Sequence, residues 1–437
     1  MIYAFTNVTL LDGTATMEPQ PNMAVVTDNS GRISQIEPMD AATIHPTARV
    51  IDLEGKYLMP GLVNMHVHLA GTGEPMSSGE TSDLVDRLAD TAVGKAYIRM
   101  RIKRSAQNQL MSGVTTVRDV GDLAWQDIAV RDNINRTRYL GPRLLCAGWG
   151  VTPQEGHGRG IIAYECRSIL DAMNLVEQVH ERGADFVKTF ITGGVFDAEV
   201  PGEPGVVRMS QRMADTVVAR AHELGMTVAA HVESTEGVRV ALRAGVDTIE
   251  HGSHMDEEIV SLFHENGAGR ESCLVCTMSP AMPLAILPGE KTHSTDVVVQ
   301  NAKVLAREMA EGVRQAREAG IRVGLGTDSG CPYITQYDMW RELVYFHEVI
   351  GASTQETLHT ATQVNAELLG VGAITGSVQV GKSADLIVCA ENPLENLETL
   401  RNVQMVMIRG MLVRHPKVKR FPKLDAELDE ILHAQLD

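Results

Sequence analysis

The chain reads as an α/β protein: a (β/α)₈ barrel carrying a small β-sandwich made from both chain ends. Three observations predict this. Short apolar runs alternate with longer stretches of helical period through the middle of the 437 residues, the mark of repeated βα units. Glycines stand where the helical stretches should end. Residues 1–58 and 373–417 instead carry short β-branched or alternating runs broken by turns.

Eight strands are expected near 62–68, 114–120, 143–149, 186–191, 227–232, 247–251, 272–277 and 322–327. The helical stretches between them include 84–111, 168–182, 209–224 and 296–319, with Gly183, Gly225, Gly245 and Gly320 as their C-terminal stops. Eight parallel strands alternating with helices close into a barrel of roughly 250 residues. The end segments include Ala24-Val25-Val26, Gly31 to Ser34, Arg49 to Asp52, Gly381 to Val388 and Val406 to Gly410. They read as the strands of the small sandwich. The expected division is residues 1–58 plus 373–437, the small domain and tail, around a barrel of 59–372.

Composition narrows the function. Hydrophobic residues make up 44% and charged residues 22% of the chain, ordinary values for a globular protein. The formal net charge of −17 opposes binding to phosphate backbones or anionic lipid, so neither nucleic acid nor a membrane is an expected partner. The first residues show no basic, apolar or small-residue leader pattern, and no apolar run reaches the roughly 20 residues a membrane span needs. The six cysteines are sparse and form no disulfide framework, which makes a reducing cytoplasm the expected compartment. Cys273 and Cys276 form a lone C-x-x-C in an apolar stretch and read as core.

In such barrels functional side chains project from the C-terminal ends of strands. His66 and His68 end the first strand, and a spacing of two puts both imidazoles on one face. Lys188 lies on the fourth strand. His231 ends the fifth, His251 the sixth and Asp328 the eighth. One histidine at a strand end is commonly structural. Four histidines and an aspartate at the tops of one set of strands read as a site for zinc or a first-row neighbour. Lys188 is compatible with two roles. It is either an ordinary salt-bridging lysine or, buried near metal, a neutral amine that takes up CO₂ as a carbamate. His157, in Gly156-His157-Gly158-Arg159-Gly160 after the third strand, reads as a donor to a substrate carbonyl or oxyanion, or else as a plain loop histidine. Arg159 reads as a contact for a substrate carboxylate or as an exposed arginine.

Several motifs occur in order along nearly the whole chain. They are P-G-L-V-N-M-H-V-H, G-V-T-T-V-R-D-V-G, F-V-K-T-F-I-T-G-G, A-A-H-V-E, I-E-H-G, G-T-D-S-G and the closing G-S-V-Q-V-G-K-S-A-D-L-I-V. Together they resemble the amidohydrolase superfamily, within it the Xaa-Pro dipeptidase-like (prolidase-like) and imidazolonepropionase-like branch. The segment around Lys188 is similar to that of the binuclear dipeptidases, in which the lysine is carboxylated. The resemblance implies that His66, His68 and Asp328 hold the more buried of two divalent ions, and His231 and His251 the more exposed one. It further implies that carboxylated Lys188 and a hydroxide bridge them, and that Asp328 shuttles the proton. It also implies a homo-oligomer, an octamer in some relatives.

The substrate expected is a small molecule, a dipeptide or N-acyl amino acid cleaved at its amide bond. Another C–N or ester bond, as in a cyclic amide, lactone or aryl ester, is the alternative on the same metals. A non-catalytic scaffold is disfavoured by the intact set of candidate ligands. After G-T-D-S-G, many relatives carry a Pro-His-Gly-like turn where this chain has Cys331 to Tyr337. That stretch, with Tyr333, and the loop from Val195 to Val207 are expected to shape substrate binding.

Overall fold

The computed structural model describes residues 1–75 and 91–436. Eight parallel strands appear where the apolar runs predict them: Leu62–Val67, Val114–Asp119, Arg143–Cys146, Val187–Phe190, Val228–Val232, Thr248–His251, Cys273–Cys276 and Val323–Leu325. All but the third are buried along their whole length, as strands covered on both faces must be.

These strands are hydrogen-bonded in two ladders. The first three form one sheet. The fourth to eighth form another, extended by Gly150–Pro153 and Ala163–Cys166, two strands absent from the expected set. The break falls where a single third strand over 143–149 was expected. Arg143–Cys146 pairs with the second strand, whereas Gly150–Pro153 pairs with the fourth. Gly148 turns the chain between them with φ +67°, and a Cβ there would lie 2.5 Å from the Trp125 ring. At the other seam an isolated parallel bridge joins Val67 to Ser329, and His68 N–H donates to the Ser329 carbonyl at 2.7 Å.

The helices follow equally simple rules. Ile169–Glu181, Gln211–Glu223 and Asp296–Glu318 start at Ser168, Ser210 and Thr295, whose side-chain oxygens each accept the backbone N–H three residues on. Gly183, Gly225, Gly245 and Gly320 take φ between +73° and +93° at or just beyond the helix ends. Of the expected helix over 84–111, Ala92–Met111 is observed; 84–90 lies outside the described residues.

Both chain ends do build one β unit, but as a single connected sheet of eight strands. Its order is Met411–Val413, Met405–Ile408, Leu386–Cys389, Tyr57–Pro60, Tyr3–Leu10, Gln20–Thr27, Ile33–Pro38, with Arg49–Asp52 beside Tyr3–Leu10. Phe5, Val25, Leu58, Leu386 and Met407 fill its own core. The last helix, Pro422–Glu430, packs its Leu424 and Leu428 against Leu287 and Tyr333. All six cysteines are free, and Cys273 and Cys276 are buried in the seventh strand.

Candidate metal centre

His66, His68, Lys188, His231, His251 and Asp328 all line one cavity of about 570 Å³. The strand ends bring them there. One oxygen of Asp328 lies 3.4 Å from Nε2 of both His66 and His68. The rings of His66 and His251 are 4.8 Å apart, as are those of His231 and His251. His251 and Asp328 adopt φ of +70° and +59°, a left-handed conformation costly for non-glycine residues and found where side chains are held for a purpose.

Two groups of side chains could each hold an ion. The ligand atoms of His66, His68 and Asp328 lie within 4.8 Å of one another, and so do those of His231, Glu233 and His251. Neighbouring groups orient the rings. His66 Nδ1 faces Glu250 Oε2 at 2.6 Å, His68 Nδ1 donates to the Gly121 carbonyl at 2.7 Å, and His251 Nδ1 pairs with the Thr277 hydroxyl at 2.7 Å. In each ring this leaves Nε2 for the cavity, the arrangement expected around metal-binding histidines. His231 is held less firmly, its Nε2 3.3 Å from the Gly193 carbonyl and 3.8 Å from Glu233.

The electrostatics suit cations. Burial, reinforced by His157 and His251, holds His231 well below the usual imidazole range; burial and His66 do the same to His251. Burial would raise the Asp328 carboxyl, but hydrogen bonds and charge from His66 and His68 hold it well below the carboxylate range. Lys188 is almost wholly buried and its Nζ has no hydrogen-bond partner among the described residues. Burial pushes its amine down to about 8 against the pull of Glu250 and Asp328. Glu233 Oε2 likewise has no hydrogen-bond partner among the described residues, and Asp328 Oδ1 has only the two imidazoles at 3.4 Å. Buried polar atoms without partners are rare and costly; gathered at one cavity floor beside the histidines, they fit a site for cations.

The sequence reading missed several contributors. Glu233 follows His231 by two residues, and the spacing that linked His66 with His68 was the available signal. Burial, followed by the charges of Asp328 and Asp197, pushes its carboxyl well above the ordinary range. Glu250, fully buried, joins His66 to Arg118, whose Nη2 donates to Glu250 Oε1 at 2.6 Å. Asp197 accepts from His157 Nδ1 and from the Gly194 N–H. His157 itself lines the cavity and stacks on His231, ring centres 4.3 Å apart and planes 6° from parallel.

Two expected substrate contacts do not reach the cavity. Arg159 is exposed and turns to Glu165 at 3.7 Å, outside the cavity that His157 lines. Tyr333 is buried against the C-terminal helix, and its hydroxyl donates to the Lys291 carbonyl at 2.6 Å. Its neighbours Cys331, Pro332 and Ile334 line the cavity instead.

This fold, with two groups of candidate metal ligands at its strand ends, is that of a known class of hydrolases. The amidohydrolase family model matches residues 57–413, and the chain belongs to that family. A solved structure described as a "putative prolidase" from Bifidobacterium longum is 37% identical, covers 98% of both chains and superposes with a TM-score of 0.87. A Xaa-Pro dipeptidase with methionine bound in its active site is 29% identical over 95% of this chain and 100% of that one, TM-score 0.81. The ochratoxinase of Aspergillus niger is 28% identical, covering 80% of this chain and 73% of that protein. With these relatives, the chain is an enzyme acting on C–N bonds. Among the described residues no helix is long and apolar enough to cross a membrane.

Proposed function

We propose that the chain hydrolyses the amide bond of a dipeptide or N-acyl amino acid, with two divalent ions, zinc by preference of the donor set, at the cavity floor. One observation carries this reading: two triads of side chains able to hold an ion share one cavity with a buried lysine whose Nζ has no partner. On this reading the two ladders act as one barrel, residues 59–372, with the small domain (1–58 and 373–437) formed beside it from both chain ends.

His66, His68 and Asp328 would hold one ion, and His231 and His251 the other, with Glu233 within reach. Lys188 would join them as a carbamate: the neutral amine bonds to the carbon of CO₂ and releases one proton, giving a two-oxygen anion. When bound, the ions supply Lewis acidity and a water ionised near neutrality. The water oxygen bonds to the carbonyl carbon, the C–N bond breaks, and the amine leaves with a proton. Asp328 is placed to take that proton from the water and pass it on. His157 in its imidazolium form, with Nδ1–H on Asp197, would have Nε2–H to donate to the carbonyl oxygen as negative charge grows there. Leu123, Ile161, Ile162, Phe190 and Phe196 make the walls apolar, which favours a hydrophobic group beside the scissile bond.

A panel of dipeptides and N-acyl amino acids, with matched esters and lactones, tests the reading on zinc-loaded protein. Amine release from apolar members, lost on metal removal and regained on reloading, is the expected result. Turnover of esters or lactones alone would overturn the amide assignment.

A further inference from the structure

Arg101 enters the same cavity from the helix Ala92–Met111. Its neighbour Arg99 is engaged, donating to Gln126 Oε1 from Nε at 3.0 Å and Nη2 at 2.8 Å. Arg101 is half-buried, with its guanidinium carbon 5.9 Å from the centre of the Tyr97 ring. Among the described residues it has no ion pair and no hydrogen bond. The contrast with other arginines is sharp. Arg118, Arg131, Arg317 and Arg341 each meet a carboxylate at 2.6–2.7 Å. In a chain with 56 acidic against 39 basic residues, an arginine without a carboxylate is not a matter of short supply.

The three aspartates of the cavity are engaged, and Glu233 lies 3.8 Å from His231. Asp122 accepts the N–H groups of Ala70 and Leu123, both at 2.9 Å. Asp197 is engaged by His157, and Asp328 is flanked by His66 and His68. Lys188, the other basic side chain in the lining, is almost wholly buried at the floor among the candidate ligands. An anionic group entering the cavity therefore finds its uncommitted cation at Arg101. A guanidinium stays charged at every physiological pH and offers a planar fork of donors matched to a carboxylate.

We propose that Arg101 binds the substrate's free carboxylate and so sets specificity. The substrate class is an apolar dipeptide or N-acyl amino acid with an unblocked C-terminus; amides, esters and longer peptides at that end are discriminated against. Arg101 thus takes the role the sequence pattern suggested for Arg159. The assignment rests on the hydrolase reading given above, and its test is built to separate the two.

N-acyl amino acids and their C-terminal carboxamides are compared as substrates of metal-loaded wild type, Arg101→Gln and Arg101→Lys. In wild type the free acid is preferred. In Arg101→Gln, KM for the acid rises roughly 10–100-fold, the worth of a charge-assisted hydrogen bond, while kcat and the values for the carboxamide stay near wild type. Lysine restores part of the preference, since it keeps the charge without the fork. A second readout needs no turnover: calorimetric binding of 3-phenylpropanoate against 3-phenylpropan-1-ol. Arg101→Gln should lose most of the acid-over-alcohol preference. If the panel is not hydrolysed yet Arg101 still selects the acid, the hydrolase reading falls and the carboxylate site stands. An acid preference unchanged by Arg101→Gln in both assays, or none in wild type, overturns the proposal.

Discussion

Replacing Glu250 by glutamine should weaken metal binding without removing a single proposed ligand. Glu250 is fully buried on the sixth strand. One oxygen accepts from Arg118 Nη2 and from the Thr248 hydroxyl, both at 2.6 Å; the other faces His66 Nδ1 at 2.6 Å. Arg118 and Thr248 are donors toward this side chain, so a glutamine would turn its carbonyl oxygen to them and its NH₂ to His66. His66 Nδ1 would then have to accept, placing the ring proton on Nε2, the atom that faces Asp328. An Nε2–H cannot ligate. Loss of such outer partners costs about 10–100-fold in metal affinity.

Stability should fall as well, because Arg118 is buried and would keep its charge without a counter-charge. Breaking a buried pair from one side costs about 3–5 kcal/mol, and the retained hydrogen bond puts Glu250→Gln toward the low end. Burial would raise the Glu250 carboxyl, but Arg118 and His66 hold it well below the ordinary range. A depressed folded pKa contributes stability above the unfolded value, about 4.3, and loses it as pH falls toward the folded one. The gap between wild type and variant in urea midpoint should thus be widest near neutrality and close in acid. Adding Arg118→Met should recover much of the stability but not the affinity, since the His66 tautomer stays wrong. Metal titration against a competing chelator, run beside urea melts, reads both. Wild-type affinity in Glu250→Gln, or affinity restored in the double variant, would refute the tautomer argument.

Lys188 should take up CO₂ only as the free amine, so the initial rate of carbamate formation by stripped protein at fixed dissolved CO₂ should rise about tenfold per pH unit up to about 8 and level off above it. ¹³C NMR with labelled CO₂ follows this; a pH-independent signal, or one retained in Lys188→Ala, would remove the bridge. Asp328→Asn should keep part of its metal while kcat drops roughly 10²–10⁴-fold, the usual weight of a general acid–base group. Activity within a few-fold of wild type, with an unaltered pH profile, would take the shuttle role from Asp328.

What the sequence made legible here is what lies along single elements. Strand period and strand-end position pick out His66, His68, His231, His251 and Asp328, and the structure gathers them at one cavity. The failures come from chain crossing between elements. Nothing local to residues 143–149 marks Gly148 as the point where the third strand changes partners, because the Trp125 ring that leaves no room for a side chain there lies on another segment. Arg159 and Tyr333 lie in loops whose direction depends on Glu165 and the C-terminal helix. Glu250 shows the problem most clearly. Strict alternation sends neighbouring strand residues to opposite faces, so a reading that points His251 into the site turns Glu250 away from it. Yet His251 lies 4.8 Å, ring to ring, from His66, while Glu250 meets the same His66 at Nδ1. The φ of +70° at His251 breaks the alternation at the strand end and lets both neighbours converge on one imidazole. A pattern-based reading assumes regular backbone. It therefore fails where the backbone leaves regularity, and here that place is the site.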